Sequence, residues 1–279
     1  MNVRKRLRLD PAALSVSVGE KGTDGTPGVK SKRRAKRDIA KLAPKLADLQ
    51  ERLYAEGKAG GKRRVILLLQ GMDTCGKDGT VKHVVGLVNP GGVKITSFGK
   101  PTKQELAHDF LWRITKAVPE PGYIGVFNRS QYEDVLIVRV HDLVPPEEWQ
   151  KRYDLINAWE AKQAAAGVTF VKVFLHISKD EQRKRLLARL ADVRKHWKVN
   201  PGDIDERGKW EAYREAYAAV LERCSTDVAP WYVVPADRKW YRNWAITNLL
   251  TETLGEMDPQ WPERPELDIA GMAKALKES

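Results

Sequence analysis

The sequence predicts an α/β fold in which a parallel sheet lies between layers of helices. Three observations carry that expectation. Five short runs, Arg64 to Gln70, Val93 to Phe98, Tyr123 to Phe127, Val168 to Ile177 and Trp231 to Val234, alternate with longer stretches of helical patterning. The runs read as near-continuous Val, Ile and Leu, the pattern of strands covered on both faces. With 279 residues the chain can bury a large core as one main domain.

Taken in order, residues 1–38 combine a basic opening from Met1 to Asp10, a Gly/Thr/Ser-rich stretch around Gly19 to Gly28 and a basic cluster from Lys30 to Arg37. Disorder is expected there, with the charge facing solvent or an anionic ligand. From Ile39 the apolar positions Leu42, Leu46, Leu49 and Leu53 step by three and four, marking an amphipathic helix that ends near Gly57 and packs on the core or on a second subunit. The main domain is expected over 39–255, followed by a tail over 256–279 whose prolines from Pro259 to Pro265 suggest a surface wrap.

Composition narrows the class of partner. Lys and Arg number 49 against 37 Asp and Glu, a net charge of +12, which favours an anionic partner. The longest apolar run, Val65 to Leu69, is far short of the roughly 20 residues that cross a bilayer. Arg4, Lys5, Arg6 and Arg8 are not followed by an apolar leader, and Cys75 and Cys224 make no disulfide framework. The cytoplasm is therefore the expected compartment, with no membrane contact.

Gly71-Met72-Asp73-Thr74-Cys75-Gly76-Lys77 fits the spacing G-x-x-x-x-G-K, between the first strand and a helix through Val81, Val84, Val85 and Val88. Glycines let successive amides turn towards phosphate oxygens, and the lysine neutralises the transferring phosphate. Phosphate contacts are thus expected from Gly71, Thr74, Cys75, Gly76, Lys77, Asp78 and Gly79. Asp78 stands where a Ser or Thr would usually reach magnesium, and Asp73 lies within the loop, so a metal could be held by carboxylate. Asp78 also suits the first turn of a helix on dipole grounds alone. Cys75 at a helix start could be oxidation-sensitive or simply small enough to fit. The motif makes the fold a three-layer α/β/α P-loop kinase fold with a five-stranded parallel sheet and a helical lid.

The third strand leads into Asn128-Arg129-Ser130-Gln131-Tyr132-Glu133-Asp134, at a strand end where open α/β sheets bind ligands. Arg129 can grip phosphate, Glu133 or Asp134 can hold metal or orient an acceptor, and Asn128 can bond water; Ser130 and Glu133 equally suit a helix capping box. Ser178 and Glu181 suggest a second box, opening a helix to about Arg189. Arg183, Lys184, Arg185, Arg189, Arg194, Lys195 and Lys198 then fall within sixteen residues, a solvated face or an anion clamp. We read the segment over about 183–206 as a lid that closes on the transferring phosphoryl group. His196 reads as a packing or phosphate contact, and no His/Cys metal spacing is present.

These residues resemble the type 2 polyphosphate kinase family. The likeness rests on Gly71 to Thr80, Phe127 to Leu136 and Lys195-His196-Trp197-Lys198, with Thr96-Ser97-Phe98, Phe110-Leu111-Trp112-Arg113 and Ala229-Pro230-Trp231-Tyr232 between, and covers about Ile39 to Leu254. The resemblance implies a phosphotransferase using inorganic polyphosphate, a magnesium cofactor with manganese as an alternative, and a homo-oligomer, dimeric or tetrameric, that requires no nucleic acid. It implies catalytic roles for Asp73, Lys77, Arg129 and Glu133, metal at Asp73, and lid cations Arg185, Arg189, Arg194 and Lys198. Nucleotide contacts are expected from Asn128, Arg129, Tyr132 and Glu133. Members acting on nucleoside diphosphates carry Asp at the place of Asn128 and Asn at the place of Glu133. The form here resembles the branch that accepts AMP as well as ADP, giving ADP and ATP. An ATP-dependent nucleoside or nucleotide kinase is the rival enzyme reading, and a basic NTP-binding protein acting on nucleic acid is the rival from another class, although it lacks a reader motif.

Overall fold

The structure is a computed structural model that describes residues 2–10 and 22–279. Five strands, β1 (Arg64–Gln70), β2 (Val93–Ser97), β3 (Ile124–Asn128), β4 (Val168–His176) and β5 (Trp231–Pro235), form one parallel sheet in the order β2-β3-β1-β4-β5. Each lies within two residues of its sequence-predicted bounds, because β-branched runs ended by turn residues are a strong local signal. Burial on both faces holds for β1, β3 and β4. It fails for β2, which pairs only with β3 and leaves Lys94 and Ile95 exposed as an edge strand.

In chain order the described helices are α1 (Val3–Leu7), α2 (Lys32–Lys58), α3 (Lys77–His83), α4 (Lys103–Leu106), α5 (Trp112–Ala117), α6 (Ile137–Val140), α7 (Pro146–Ala165), α8 (Lys179–Leu190), α9 (Asp203–Gly208), α10 (Trp210–Arg223), α11 (Lys239–Met257) and α12 (Ile269–Glu278). None is long and apolar enough to cross a membrane. The helix expected through Val88 stops at His83, and a single 3-10 turn, Val85–Leu87, carries on from it.

α2 starts at Lys32 rather than Ile39, capped by the Ser31 hydroxyl, which accepts from the Arg34 amide at 3.2 Å. Leu46, Leu49 and Leu53 of its apolar stripe are buried in the core, and Trp244 of α11 donates to Asp38 at 3.3 Å. That face is spent inside the domain and is not available to a second subunit. The N-terminal reading is corrected as well. Val3, Leu7 and Leu9 are buried, the Val3 and Arg4 amides donate to Glu252, and Leu9 donates to the Trp231 carbonyl at 2.8 Å along β5. Three apolar side chains interspersed among arginines suffice to dock a segment whose overall composition suggests disorder. Part of the Gly-rich stretch lies outside the described residues.

Sheet order fixes the place of the site. The chain passes from β1 out to β2, returns to β3 beside β1, and crosses to β4 on the other side, so the connections diverge at the C-terminal end of β1. Register brings Leu69 opposite Asn128 and Gln70 opposite Phe174. The Gly71 loop and the Asn128 turn therefore leave the sheet side by side.

Candidate active site

Gly71 and Gly76 have φ of 149° and 112°, conformations that side-chain-bearing residues rarely adopt. A β-carbon on Gly71 would lie 2.6 Å from the Leu175 carbonyl oxygen, so β4 itself requires a glycine there. Thr74 and Arg129 take positive φ without that freedom, at 60° and 66°, and both stand at the centre of the two motifs. Arg129 is held in place because its amide donates to the Leu69 carbonyl at 3.1 Å, extending the β1–β3 pairing by one residue. A further chain joins the motifs: the Gly71 amide donates to the Tyr217 hydroxyl at 3.2 Å, and Gln70 donates to the Ser130 hydroxyl at 3.0 Å.

A cavity of about 270 Å³ opens above the loop, lined by Asp73, Lys77, Arg129, Glu133, Asp203, Glu206, Tyr213 and Tyr217 among others. Lys77 folds back over the loop, with Nζ 3.2 Å from the Gly71 carbonyl. Arg129 lies 3.4 Å from Glu133, and that carboxylate is the main cause raising the already high pKa of the guanidinium. Four carboxylates face two cations in this cavity, so a polyanion would enter it best together with metal cations. The Oδ2 of Asp73 has no hydrogen-bond partner among the described residues and sits 3.7 Å from Arg189. No three His, Cys, Asp or Glu of the described chain cluster as a ready metal cage. This fits magnesium, which takes one or two carboxylates and completes its shell with phosphate and water.

A second and larger cavity, about 1160 Å³, shares Arg129 and Glu133 with the first. Its walls are apolar, with Phe98, Phe110, Leu111, Val138 and Leu155, and Arg113, Arg152 and Asp134 stand among them. Arg113 lies over the Phe98 ring at 5.7 Å and Arg152 over Phe110 at 5.0 Å. Burial pushes the Asp134 carboxyl up to about 6, against the pull of Arg113 and Arg152 at 3.7 and 3.4 Å.

Several predicted site residues hold other posts. Tyr132 is fully buried, its hydroxyl donating to Glu160 at 2.7 Å and accepting from Lys172 at 2.8 Å, so it is a core residue and not a nucleotide contact. Arg185 is also buried: it donates to the carbonyls of Thr74, Cys75, Ala236 and Asp237, bracing the phosphate loop rather than moving with a lid. Arg194 projects to solvent and pairs with Asp192 two residues away. Arg189 ties the lid together through the Lys198 carbonyl and Asp203, both at 3.1 Å. Lys198 reaches across to Asp78, which also accepts from Asn128 at 3.1 Å; the Lys198 contact is the main cause holding the Asp78 carboxyl below its ordinary range. Asp78 thus ties the 183–206 segment to α3.

Both expected capping boxes are half formed. The Ser178 hydroxyl accepts from the Glu181 amide, but Glu181 turns to Arg185 at 2.7 Å. Ser130 accepts from Tyr132, and Glu133 turns to Arg129, which is what places its carboxylate on the wall between the cavities. The sequence reading missed Glu206, Trp210, Tyr213 and Tyr217. Glu206 lies on α9, and Trp210, Tyr213 and Tyr217 form an aromatic stripe at helical period along α10 that lines the site, with Trp210 and Tyr217 also buried in the core.

Comparison with known proteins adds the lineage. Residues 29–262 match the family Polyphosphate kinase 2 (PPK2). The chain is 50% identical over 232 residues to an AMP/ADP-polyphosphate phosphotransferase of Meiothermus ruber, covering 83% of this chain and 85% of that one. It is 42% identical over 260 residues to an ADP-polyphosphate phosphotransferase of Rhodopseudomonas palustris, covering 89% of each. Its fold is similar to the crystal structure of polyphosphate kinase 2 from Arthrobacter aurescens TC1, with a TM-score of 0.94 and 46% identity over 100% of this chain and 98% of that one.

Proposed function

The chain belongs to the Polyphosphate kinase 2 family, and from that premise we propose that it transfers a phosphoryl group from inorganic polyphosphate to AMP or ADP, reversibly in principle. The observation that carries this reading is the junction of two chemically different cavities at Arg129 and Glu133. The smaller one, over the phosphate loop, suits the donor chain. The larger, apolar one suits a nucleoside. The acceptor phosphate then comes to the shared wall, where it meets the donor in line.

In this mechanism Lys77 and the loop amides hold the terminal phosphates of the donor, and Arg129 neutralises charge on the phosphoryl group in transit. Glu133 orients the Arg129 fork and faces the acceptor. Asp73 would hold magnesium, which supplies neutralisation of phosphate oxygens when bound. The Lys198–Asp78 latch keeps the lid down over the loop and limits water. Acceptance of AMP is supported by Asn128 and Glu133 at the two positions that distinguish the resembled branches, and by likeness to the AMP/ADP-polyphosphate phosphotransferase of Meiothermus ruber. The protein is placed in the cytoplasm, a reading supported by the two free, buried cysteines. A homo-oligomer belongs to the same proposal, with a surface other than the α2 stripe.

Purified protein with magnesium and polyphosphate is expected to form ATP from ADP, and ADP then ATP from AMP, followed by chromatography. No product from either acceptor would sink the proposal. Consumption of ATP with a nucleoside, with no need for polyphosphate, would select the rival kinase reading. Lys77→Ala is expected to lower turnover sharply and Cys75→Ala to matter little; equal effects contradict the assigned roles.

A further inference from the structure

Arg242 stands in the first turns of α11, directly behind the phosphate loop, and is 3% exposed. Its closest neighbours are the loop's own glycines: a β-carbon on Gly76 would collide with Nη1, and one on Gly79 would lie 2.7 Å from Nη2. Gly79 sits inside α3, where glycine is costlier than alanine by about 1 kcal/mol, and the guanidinium is the reason that space is kept clear. The hydrogen bonds of the Arg242 side chain go to the side chain of Asn243, at 3.1 and 2.8 Å. Among the described residues no carboxylate lies within ion-pair distance of it. Its charged neighbours are the cations Arg185 and Lys239; burial first, and Arg185 second, draw its pKa down to about 10 against a smaller upward pull from Cys75, which leaves it charged at neutral pH.

This arrangement runs against two ordinary preferences. Buried charges are paired, and the start of a long helix favours anions over cations. A guanidinium kept there costs the unliganded fold, and the cost is offset when an anion arrives on the other side of the loop. The loop's solvent side is where the donor is placed above. We propose that Arg242 is a positioning residue that raises the affinity of the phosphate loop for polyphosphate from behind, its unmatched charge acting through the loop backbone. This rests on the reading of the loop as the polyphosphate site.

The test uses the full chain with Arg242→Gln and Arg242→Lys, measuring the KM for polyphosphate, the KM for ADP, kcat, and the melting temperature with and without polyphosphate. Arg242→Gln is expected to raise the polyphosphate KM at least about tenfold, the factor that one unit charge about 12 Å away contributes at an effective dielectric near 20. The ADP KM should stay within about twofold, and Arg242→Lys should retain most of the polyphosphate affinity. Unliganded Arg242→Gln should melt no lower than the wild type, and polyphosphate should raise its melting temperature less. An unchanged polyphosphate KM overturns the proposal. So does a variant that fails to fold or melts lower with all parameters impaired, or a lysine variant as poor as the glutamine one. If the wild type makes no ATP, the enzymatic reading fails separately, and the polyphosphate-dependent melting shifts still decide the role of Arg242.

Discussion

Replacing Lys172 by Met should destabilise the domain by about 3–5 kcal/mol at neutral pH. Lys172 is fully buried on β4, and its ammonium reaches Glu160 at 2.6 Å, the Cys224 carbonyl at 2.7 Å and the Tyr132 hydroxyl at 2.8 Å. Met fills a similar volume but removes all three contacts and strands a carboxylate that is itself fully buried. Glu160 would keep two donors, the Tyr132 hydroxyl at 2.7 Å and Gln131 at 2.9 Å, which sets the loss below that of a bare buried charge. Removing both charges in Lys172→Met/Glu160→Met should cost less than Lys172→Met alone, about 1–3 kcal/mol, because the Tyr132 and Gln131 donors and the Cys224 carbonyl are orphaned but no buried charge is left.

The pH dependence gives the sign. Burial pushes the Glu160 carboxyl upward while Lys172 chiefly pulls it back. Without Lys172 the folded state takes up a proton that the unfolded chain releases, so stability falls as pH rises, by up to about 1.4 kcal/mol per pH unit. The deficit of Lys172→Met should therefore be smaller at pH 5.5 than at pH 7.5, measured by urea denaturation. Gln131 and Tyr132 lie two and three residues after Arg129, so turnover should drop even in the folded fraction. Single costs that add in the double variant, or a deficit indifferent to pH, would refute the reasoning.

Three further outcomes are expected. Gly76→Ala should cost about 3 kcal/mol, roughly half from its φ of 112° and half from displacing Arg242, and pairing it with Arg242→Ala should recover the second part in a double-mutant cycle. Lys198→Ala should leave stability within about 0.5 kcal/mol, since its pairing with Asp78 is largely exposed, yet raise the rate at which the Cys75 thiol is labelled as the lid lifts. Asp134→Asn should flatten one part of the stability profile. The native carboxyl is raised from an ordinary 3.8 to about 6, so the wild type loses up to about 3 kcal/mol as pH rises through that window while the Asn variant does not. The difference in urea midpoint should move in favour of the variant between pH 4 and 6.5.

The sheet was legible because a strand covered on both faces declares itself locally, and β1, β3 and β4 are such strands. The phosphate loop was legible because its glycines answer to backbone geometry that lies within seven residues. What the sequence hid was partnership. Tyr132 stands in a motif of polar residues at a strand end, and nothing local says that it points down to Glu160, 28 residues away across the core. Residues 2–10 were hidden for the converse reason, their three apolar contacts being outnumbered by the four cations Arg4, Lys5, Arg6 and Arg8.

The lid cluster carries this further. Seven cations in sixteen residues suggest a surface reserved for an anion, yet Arg183 pairs with Asp180, Arg194 and Lys195 with Asp192, and Lys198 with Asp78. Arg185 spends its donors on carbonyls of the loop. A count of positive residues therefore overstates the field that a substrate meets there. Arg242 is the opposite case, the one arginine of α11, inconspicuous in sequence, with no carboxylate within ion-pair distance among the described residues. If unmatched charge rather than charge density sets affinity, neutralising Arg194, 85% exposed and already paired, should change the polyphosphate KM less than neutralising the buried Arg242. The reverse order would return the weight to the lid.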